Sequence, residues 1–290
     1  MDMLTQLNRA MAYVEAHIDD SMALADVSGE TAYSPYHFGR LFYYIAGMPL
    51  SEYIRRRKLS LAAMAMQNGG ARVLDVAVMY GYDSADSFTR AFVRQHGITP
   101  SAARRPGVSL TIFPPLTFQI TIKGVQAMNW RIEEREAFEV FGIERVFSHD
   151  EMDKLPGFWH EFHETGACDK LCAAAGVRSG DHGERGINAV CGYREVEGNC
   201  FPYMIYTLRR PESNVEGYTV AHIPKATWAV FRSEAVPRFG PAIPVLFDRA
   251  YKEWLPASEY ERAAAPDLEI YCMEADGGLY EEVWIPVVKR

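Results

Sequence analysis

Apolar residues near the start of the chain recur at helical spacing, and the pattern occurs twice. Phe38, Leu41, Phe42 and Ile45 fall at i, i+3, i+4 and i+7, which predicts a helix with one buried face. Tyr36, Gly39, Arg40 and Tyr43 take the opposite face of that helix. Further on, Phe88, Ala91 and Phe92 repeat the core pattern, and Asp86, Ser87, Arg90 and Arg94 lie on its outer side. The match extends upstream, where Leu24-Ala-Asp26-Val and Tyr33-Ser34 reappear as Val73-Leu-Asp75-Val and Tyr82-x-Ser84. The offset is 49 residues between Asp26 and Asp75 and 50 between Arg40 and Arg90. Such self-similarity is one supersecondary unit used twice, here a helix, a tight turn and a second helix.

The element boundaries are marked chemically. Ser34 is suited to the N-cap and Pro35 to the first helical turn, while Asp83 or Ser84 caps the second copy. Pro49 to Gln67 reads as one long helix, with Gly69-Gly70 as its terminator. A helix-turn-helix puts its second helix in the DNA major groove, and two such units on a stiff spacer can enter successive grooves. The expected DNA contacts are Ser34, Tyr36, His37, Gly39, Arg40 and Tyr43 in the first copy and Ser84, Ser87, Arg90 and Arg94 in the second. Arg55 and Arg57, from the run Arg55-Arg-Arg-Lys58, suit phosphate. Arg40 can grip a guanine edge with two hydrogen bonds; the plain alternative is a solvated surface arginine. Both Arg40 and Arg90 are expected to face outward. Gly39 is unusual, since glycine inside a helix costs about 1 kcal/mol against alanine; close approach of the backbone to DNA would explain it. Asp86 would repel phosphate, so the second helix is expected to read fewer bases.

The texture changes after Arg104-Arg-Pro-Gly107. Thr111 to Gly124 is β-branched and broken by prolines, as in an extended connector. From Met128 onward strand-like runs alternate with helical ones. Strands are expected at Trp130–Arg135, Phe138–Ile143, Ala189–Tyr193, Tyr203–Thr207, Tyr218–Val220, Thr227–Phe231, Leu268–Tyr271 and Glu282–Val287. Helices are expected at Lys154–Thr165 and Ala242–Trp254. Two strand–helix–strand–strand passes imply an α+β domain with helices over antiparallel sheet. The expected fold is an all-α N-terminal domain (1–107) with two helix-turn-helix units joined by a long helix. A linker (108–127) and an α+β domain of two related halves (128–290) follow it.

Charge supports this division. The chain has 30 basic and 38 acidic residues, of which 11 and 10 lie in residues 1–105, so the acidity belongs to the second part. A uniformly acidic chain would bind DNA poorly. There is no apolar run long enough to span a membrane and no signal-peptide pattern at Met1-Asp-Met-Leu, so the cytoplasm is the expected location. The 5 cysteines have no framework spacing and read as thiols. Cys168-x-x-x-Cys172 reads as incidental, with a redox or metal pair as the alternative. His160-Glu-Phe-His163 is not a zinc motif, because helical metal-binding histidines sit four apart. No metal and no cofactor is expected.

Residues 4–105 resemble the DNA-binding domain of the AraC/XylS family of transcription regulators. The resemblance is carried by Ala32-Tyr-Ser-x-x-His-Phe-x-Arg-Leu-Phe, Gly47-x-Pro-x-x-Tyr53-Ile-x-x-Arg57, Ala77-x-x-x-Gly81-Tyr-x-Ser84-x-x-x-Phe88-x-Arg90-x-Phe92 and Gly97-Ile-Thr-Pro-Ser101. It implies that Tyr36, Gly39 and Arg40 are base-reading positions, with Ser87 and Arg90 near those of the second helix. The family often has a long polar side chain where Gly39 stands. Residues 110–290 resemble the GyrI-like effector-binding domain through Met128-x-x-Arg131-Ile-x-x-Arg135, Phe138-x-Val-x-Gly142-Ile, Phe158-Trp-x-x-Phe162, Trp254-Leu-Pro-x-Ser-x-Tyr260, Leu268-Glu-Ile-Tyr271 and Trp284-Ile-Pro-Val. Together the two halves make a Rob-type arrangement.

The second resemblance implies a pocket for small organic, often cationic and aromatic, effectors around one buried carboxylate. Glu269 stands at the acidic position, beside Tyr271, and Trp159, Tyr193, Tyr206, Trp228, Trp254 and Trp284 are the expected walls. Aromatic residues are as readily plain core. An arginine such as Arg131 or Arg135 could instead pair with Glu269. The reading is a DNA-binding transcription regulator, not an enzyme, with promoter duplex, a small effector and RNA polymerase as partners. A small-molecule hydrolase or a protein-interaction module remains the alternative for the second domain.

Overall fold

The computed structural model describes residues 3–68, 71–105, 107–119, 127–178 and 180–290. Seven helices come first: α1 (Met3–Ala16), α2 (Leu24–Ser28), α3 (Pro35–Ala46), α4 (Leu50–Gln67), α5 (Val73–Met79), α6 (Ala85–His96) and α7 (Pro100–Ala103). The chain divides into two compact units. One contains the described residues up to Pro35 and from Ala46 to Gln119. The other contains Tyr36–Ile45 and the described residues from Ala127 onward, so the body of α3 belongs with the second unit.

In the first unit, α4, α5, α6 and α7 share an apolar core of Leu59, Ala62, Ala63, Met66, Val76, Ala77, Phe88, Phe92 and Ala103. Ser84 is the N-cap of α6 and accepts from the Ser87 N–H at 3.1 Å, as its position implied. Gly97 ends α6 in the left-handed region, at φ 74°. The expected terminator Gly69-Gly70 lies outside the described residues, and α4 closes on Asn68. The extended run 108–119 has no regular structure but is tied down by side chains. Phe113 N donates to Ser60 Oγ at 3.0 Å and Leu116 N to the Tyr53 hydroxyl at 2.9 Å. Asn8 makes two bonds to the Phe118 backbone, at 2.8 and 3.0 Å. The rest of the expected linker, 120–126, lies outside the described residues.

The second unit is an antiparallel sheet with helices on one face. Its strands are β1 (Asn129–Arg135), β2 (Phe138–Ser148), β3 (Asn188–Cys191), β4 (Cys200–Leu208), β5 (Thr219–Ile223), β6 (Ala226–Arg232), β7 (Tyr260–Arg262), β8 (Asp267–Met273) and β9 (Leu279–Lys289). Helices α8 (Leu155–Glu164) and α9 (Ala167–Ala175) precede β3. Helix α10 (Ala242–Arg249), with a π-helical continuation to Trp254, follows β6. The strand order is β1-β6-β9-β8-β3-β4-β2-β5, with β7 beside β9. The leading strand of each half is exchanged: β1 pairs with β6 of the other half, and β5 pairs with β2. The halves meet at the β3–β8 ladder, which sets Cys191 opposite Asp267 and Ala189 opposite Glu269.

Strand alternation sends Leu268, Ile270 and Cys272 of β8 to one face, with Val190, Met204, Tyr206, Trp228 and Trp284. Asp267, Glu269 and Tyr271 therefore point to the face that carries the helices. Glu281 fixes the start of α10: its buried carboxylate accepts from the Ala242 and Ile243 N–H groups at 2.9 and 2.8 Å. A negative group there also suits the positive end of the helix.

Gly142 of β2 faces Tyr206 in the register, and a Cβ at this glycine would stand 1.9 Å from the Ile205 carbonyl oxygen. Backbone cannot yield as a side chain can. Gly142→Ala is expected to destabilise the second unit by about 1–3 kcal/mol, the usual cost of overpacking, measured as a lower urea midpoint at unchanged m-value.

Candidate functional site

The site lies at the seam between the two halves, where an acidic pair from β8 meets α3. Asp267 and Glu269 are both buried, at 0% and 4% exposure. Glu269 accepts from the Tyr203 hydroxyl at 2.8 Å and the Tyr271 hydroxyl at 3.0 Å, and the Cys191 thiol lies 3.7 Å away. Trp159 on α8 donates its indole N–H to the Tyr203 hydroxyl at 2.7 Å and meets the Tyr271 ring edge-on, with centroids 5.0 Å apart. Burial raises Glu269 above the usual carboxylate range, against the Arg40 charge and the hydroxyl donors that pull it down. Burial also pushes the Tyr203 and Tyr271 hydroxyls well up, so both remain donors.

Two arginines face this pair. Arg262 of β7 places Nη2 2.7 Å from Asp267 Oδ1. Arg40 of α3 places Nε 3.0 Å from Asp267 Oδ2 and Nη2 3.8 Å from Glu269 Oε1. Its guanidinium also lies 4.0 Å from the Phe247 ring centroid on α10, in cation–π contact. Neither Nε nor Nη1 of Arg40 has a hydrogen-bond partner among the described residues. Charge and ring face hold this cation, not the two-pronged hydrogen bonding that arginine usually gives a carboxylate.

The rest of α3 follows Arg40 inward. The Tyr36 hydroxyl donates to Asp267 Oδ2 at 3.2 Å, and Tyr44 stacks on Phe247 and Tyr251, with centroids 5.2 and 5.7 Å apart. His149 Nε2 lies 3.2 Å from the Tyr36 carbonyl oxygen. A Cβ at Gly39 would stand 2.8 Å from that imidazole, and one at Gly192 would stand 2.1 Å from the Tyr36 ring. Both glycines make room for α3.

The structure thus corrects the expectation that the polar side of α3 lies on the surface. Tyr36, His37, Gly39 and Arg40 are buried, Arg40 at 1% exposure. Two carboxylates out of water demand opposite charge, and Arg40 supplies it. Ser34 and Tyr43 are half-buried. Arg57 is also internal: it pairs with Glu15 at 2.6 and 2.8 Å and donates to the Phe113 carbonyl at 2.6 Å. Arg55 pairs with Glu52 on its own helix. The second copy matches its outward expectation, with Ser84, Arg90 and Arg94 exposed and Ser87 half-buried on α6.

The aromatic expectations divide by strand parity. Trp159 and Tyr271 reach Glu269. Tyr206, Trp228 and Trp284 lie on the opposite face of the sheet, because their positions alternate out of phase with Glu269. Tyr206 and Trp284 line a separate cavity there, of about 280 Å³, with Phe138, Leu268 and Ile270. Tyr193 donates to Glu144, and Trp254 packs edge-on against Phe231 and Trp130. Arg131 pairs with Glu282 at 2.7 Å and Arg135 with Glu184, so neither serves Glu269. Sequence reasoning missed Asp267, which period-two alternation from Glu269 and Tyr271 would have found. It also missed Tyr203, Phe247, Arg262 and His149, for which no local signal exists. His160 and His163 are exposed on α8, and burial pushes the Cys172 thiol up to about 12, away from a reactive thiolate. None of the described helices is long and apolar enough to cross a membrane.

Fold and site define a class: an AraC-type helix-turn-helix protein with a C-terminal effector-binding domain. A family described as "Integron-associated effector binding protein" matches residues 131–287, and the chain belongs to it. A helix-turn-helix domain family matches residues 27–106. The chain is similar to the transcriptional regulator Rob of Salmonella typhimurium, 35% identical over 164 residues, 56% of this chain and 55% of Rob. It thus spans about half the length of that relative. It is also similar to the activator AarP of Providencia stuartii, 36% identical over 98 residues, 34% of this chain and 73% of AarP. Among solved structures, that of SAV2435 bound to tetraphenylphosphonium is 20% identical, with a TM-score of 0.45, covering 56% of this chain and 94% of that one.

His37 gives a pH test of α3 burial. Burial and the Arg262 charge push its pKa down to about 2. In the unfolded chain it titrates near the ordinary value of about 6.5. Below that pH the unfolded chain binds a proton that the folded chain refuses, so stability is complete above about 6.5 and falls as pH drops. The expected slope from this group is about 1.4 kcal/mol per pH unit. His37→Gln should give a shallower decline in urea midpoint between pH 7.5 and 5; burial of His149 leaves a residual slope of the same sign.

Proposed function

We propose that the protein is a one-component transcription regulator whose second unit takes a small aromatic cation at Asp267 and Glu269. The observation that carries this reading is the buried Arg40 guanidinium, set between two carboxylates and over the Phe247 ring. A pocket that holds a cation in this way is built for one: acid attracts it strongly away from water, and ring faces add to the attraction. Tyr271, Trp159 and Tyr251 supply further aromatic surface. Tetraphenylphosphonium, which the SAV2435 structure contains, is therefore a suitable probe.

On the DNA side, α6 presents Arg90 and Arg94 to solvent, beside Ser84 and Ser87. Membership of the AraC type supports promoter duplex as their target, with α3 supplying the second reading helix and Arg55 a phosphate contact. RNA polymerase is the partner such a regulator would meet.

Three outcomes test this reading. Tetraphenylphosphonium at a hundredfold its Kd should stabilise the protein by about 2.7 kcal/mol, because a ligand bound to the folded state alone must do so. Calorimetry should show the binding weakened at least about tenfold in Glu269→Gln, the loss of roughly 1.4 kcal/mol of charge attraction. Arg90→Ala should weaken binding to a duplex selected from a random pool by about 1–3 kcal/mol and relax choice at one base pair. An unchanged selected sequence at unchanged affinity would remove α6 from the interface.

A further inference from the structure

The face of α3 that enters the second unit overlaps the face expected to read DNA. Tyr36, Arg40 and Tyr44 lie at i, i+4 and i+8 and form one stripe, with Gly39 beside it. Tyr36 touches Asp267, Arg40 lies between Asp267, Glu269 and Phe247, and Tyr44 stacks on Phe247 and Tyr251. The fit at Gly39 marks this seat as built: a glycine inside a helix has no backbone need of its own to be there. Gly39, at an ordinary φ, has its Cβ space filled by the His149 ring; Gly192, which its φ of 68° already favours as glycine, has its Cβ space filled by the Tyr36 ring.

The charges of the seat balance only while α3 is present. Asp267 and Glu269 face Arg40 and Arg262, two against two. Without Arg40 one negative charge is left unmatched, and a single positive charge restores neutrality. Two of the three guanidinium nitrogens of Arg40, Nε and Nη1, make no hydrogen bond to the described residues, so charge is the larger part of what a replacement must supply. It needs one charge and a surface that suits aromatic rings.

We propose that Arg40 is the pocket's own ligand, so that a monovalent aromatic cation and docked α3 exclude each other at Asp267 and Glu269. The inference rests on the preceding reading, that this site takes a cation and that α3 contacts DNA. Effector charge takes the place of the guanidinium, and α3 leaves with its reading stripe uncovered. Coupling of this kind is reciprocal: DNA that captures α3 raises effector affinity by the same factor. Apparent effector affinity is reduced by the fraction of molecules in which α3 is docked.

The test uses the full chain, tetraphenylphosphonium, and tetraphenylborate as a probe of equal shape and opposite charge. Gly39→Ala, at an ordinary helical φ, forces a Cβ of α3 into the His149 ring, and Gly192→Ala forces one into the Tyr36 ring from outside α3 while also straining a backbone at φ 68°. Both are expected to bind tetraphenylphosphonium at least about tenfold more tightly than the unmodified chain. In the unmodified chain the phosphonium should raise affinity for the selected duplex, and the borate should not. Circular dichroism and melting curves establish that each variant is folded. If either variant fails to fold, the phosphonium effect on duplex affinity in the unmodified chain decides. Equal phosphonium affinity in all three chains, or a phosphonium effect that weakens duplex binding, overturns the exclusion. The pocket reading survives that result if Glu269→Gln still weakens phosphonium binding at least about tenfold. Absence of phosphonium binding in every chain overturns both.

Discussion

Charge neutrality in a dry site is the constraint on which the second unit depends. Asp267 and Glu269 lie at the centre of the sheet, away from water, and neither could remain ionised there alone. Tyrosine hydroxyls satisfy part of Glu269, Arg262 satisfies part of Asp267, and the remainder falls to Arg40. The position of α3 follows from that remainder. So do the close fit of Gly39 against His149, the neutral state of His37, and the stacking of Tyr44 on α10.

The sheet gives the site its location. β3 and β8 are the junction of the two halves, and their ladder brings the helix-facing residues of both to one point. Helix α8 covers that point with Trp159 from one side. Helix α10 covers it with Phe247 from the other, and its start is fixed by the Glu281 carboxylate. An acid surrounded by rings follows from strand parity plus two helices, without any specialised loop.

Much of this was legible in the chain itself. The doubled apolar pattern located α3 and α6 and narrowed the cap of α6 to Asp83 or Ser84, of which Ser84 serves. Helix α9 was missed because Ala167–Ala175 is mostly small residues with little periodic contrast, and β7 because three residues carry no period at all. Glu269 stood out as an acid within an apolar strand, but its partner did not. Arg131 and Arg135 are nearer in sequence, yet β1 directs them to Glu282, Glu133 and Glu184. The arginine that reaches Glu269 comes from a helix whose polar side reads, by pattern alone, as solvent-facing. A helical pattern records which face is apolar, and it carries no information on whether the polar face meets water or a buried counter-charge.

The exchange of β1 and β5 has a consequence for how such a unit can be assembled. Neither half completes its own sheet: β2 needs β5 from the later half, and β6 needs β1 from the earlier one. That is the connectivity of a strand-swapped homodimer joined into one polypeptide. A single half produced on its own would finish its sheet by borrowing the missing strand from a second copy.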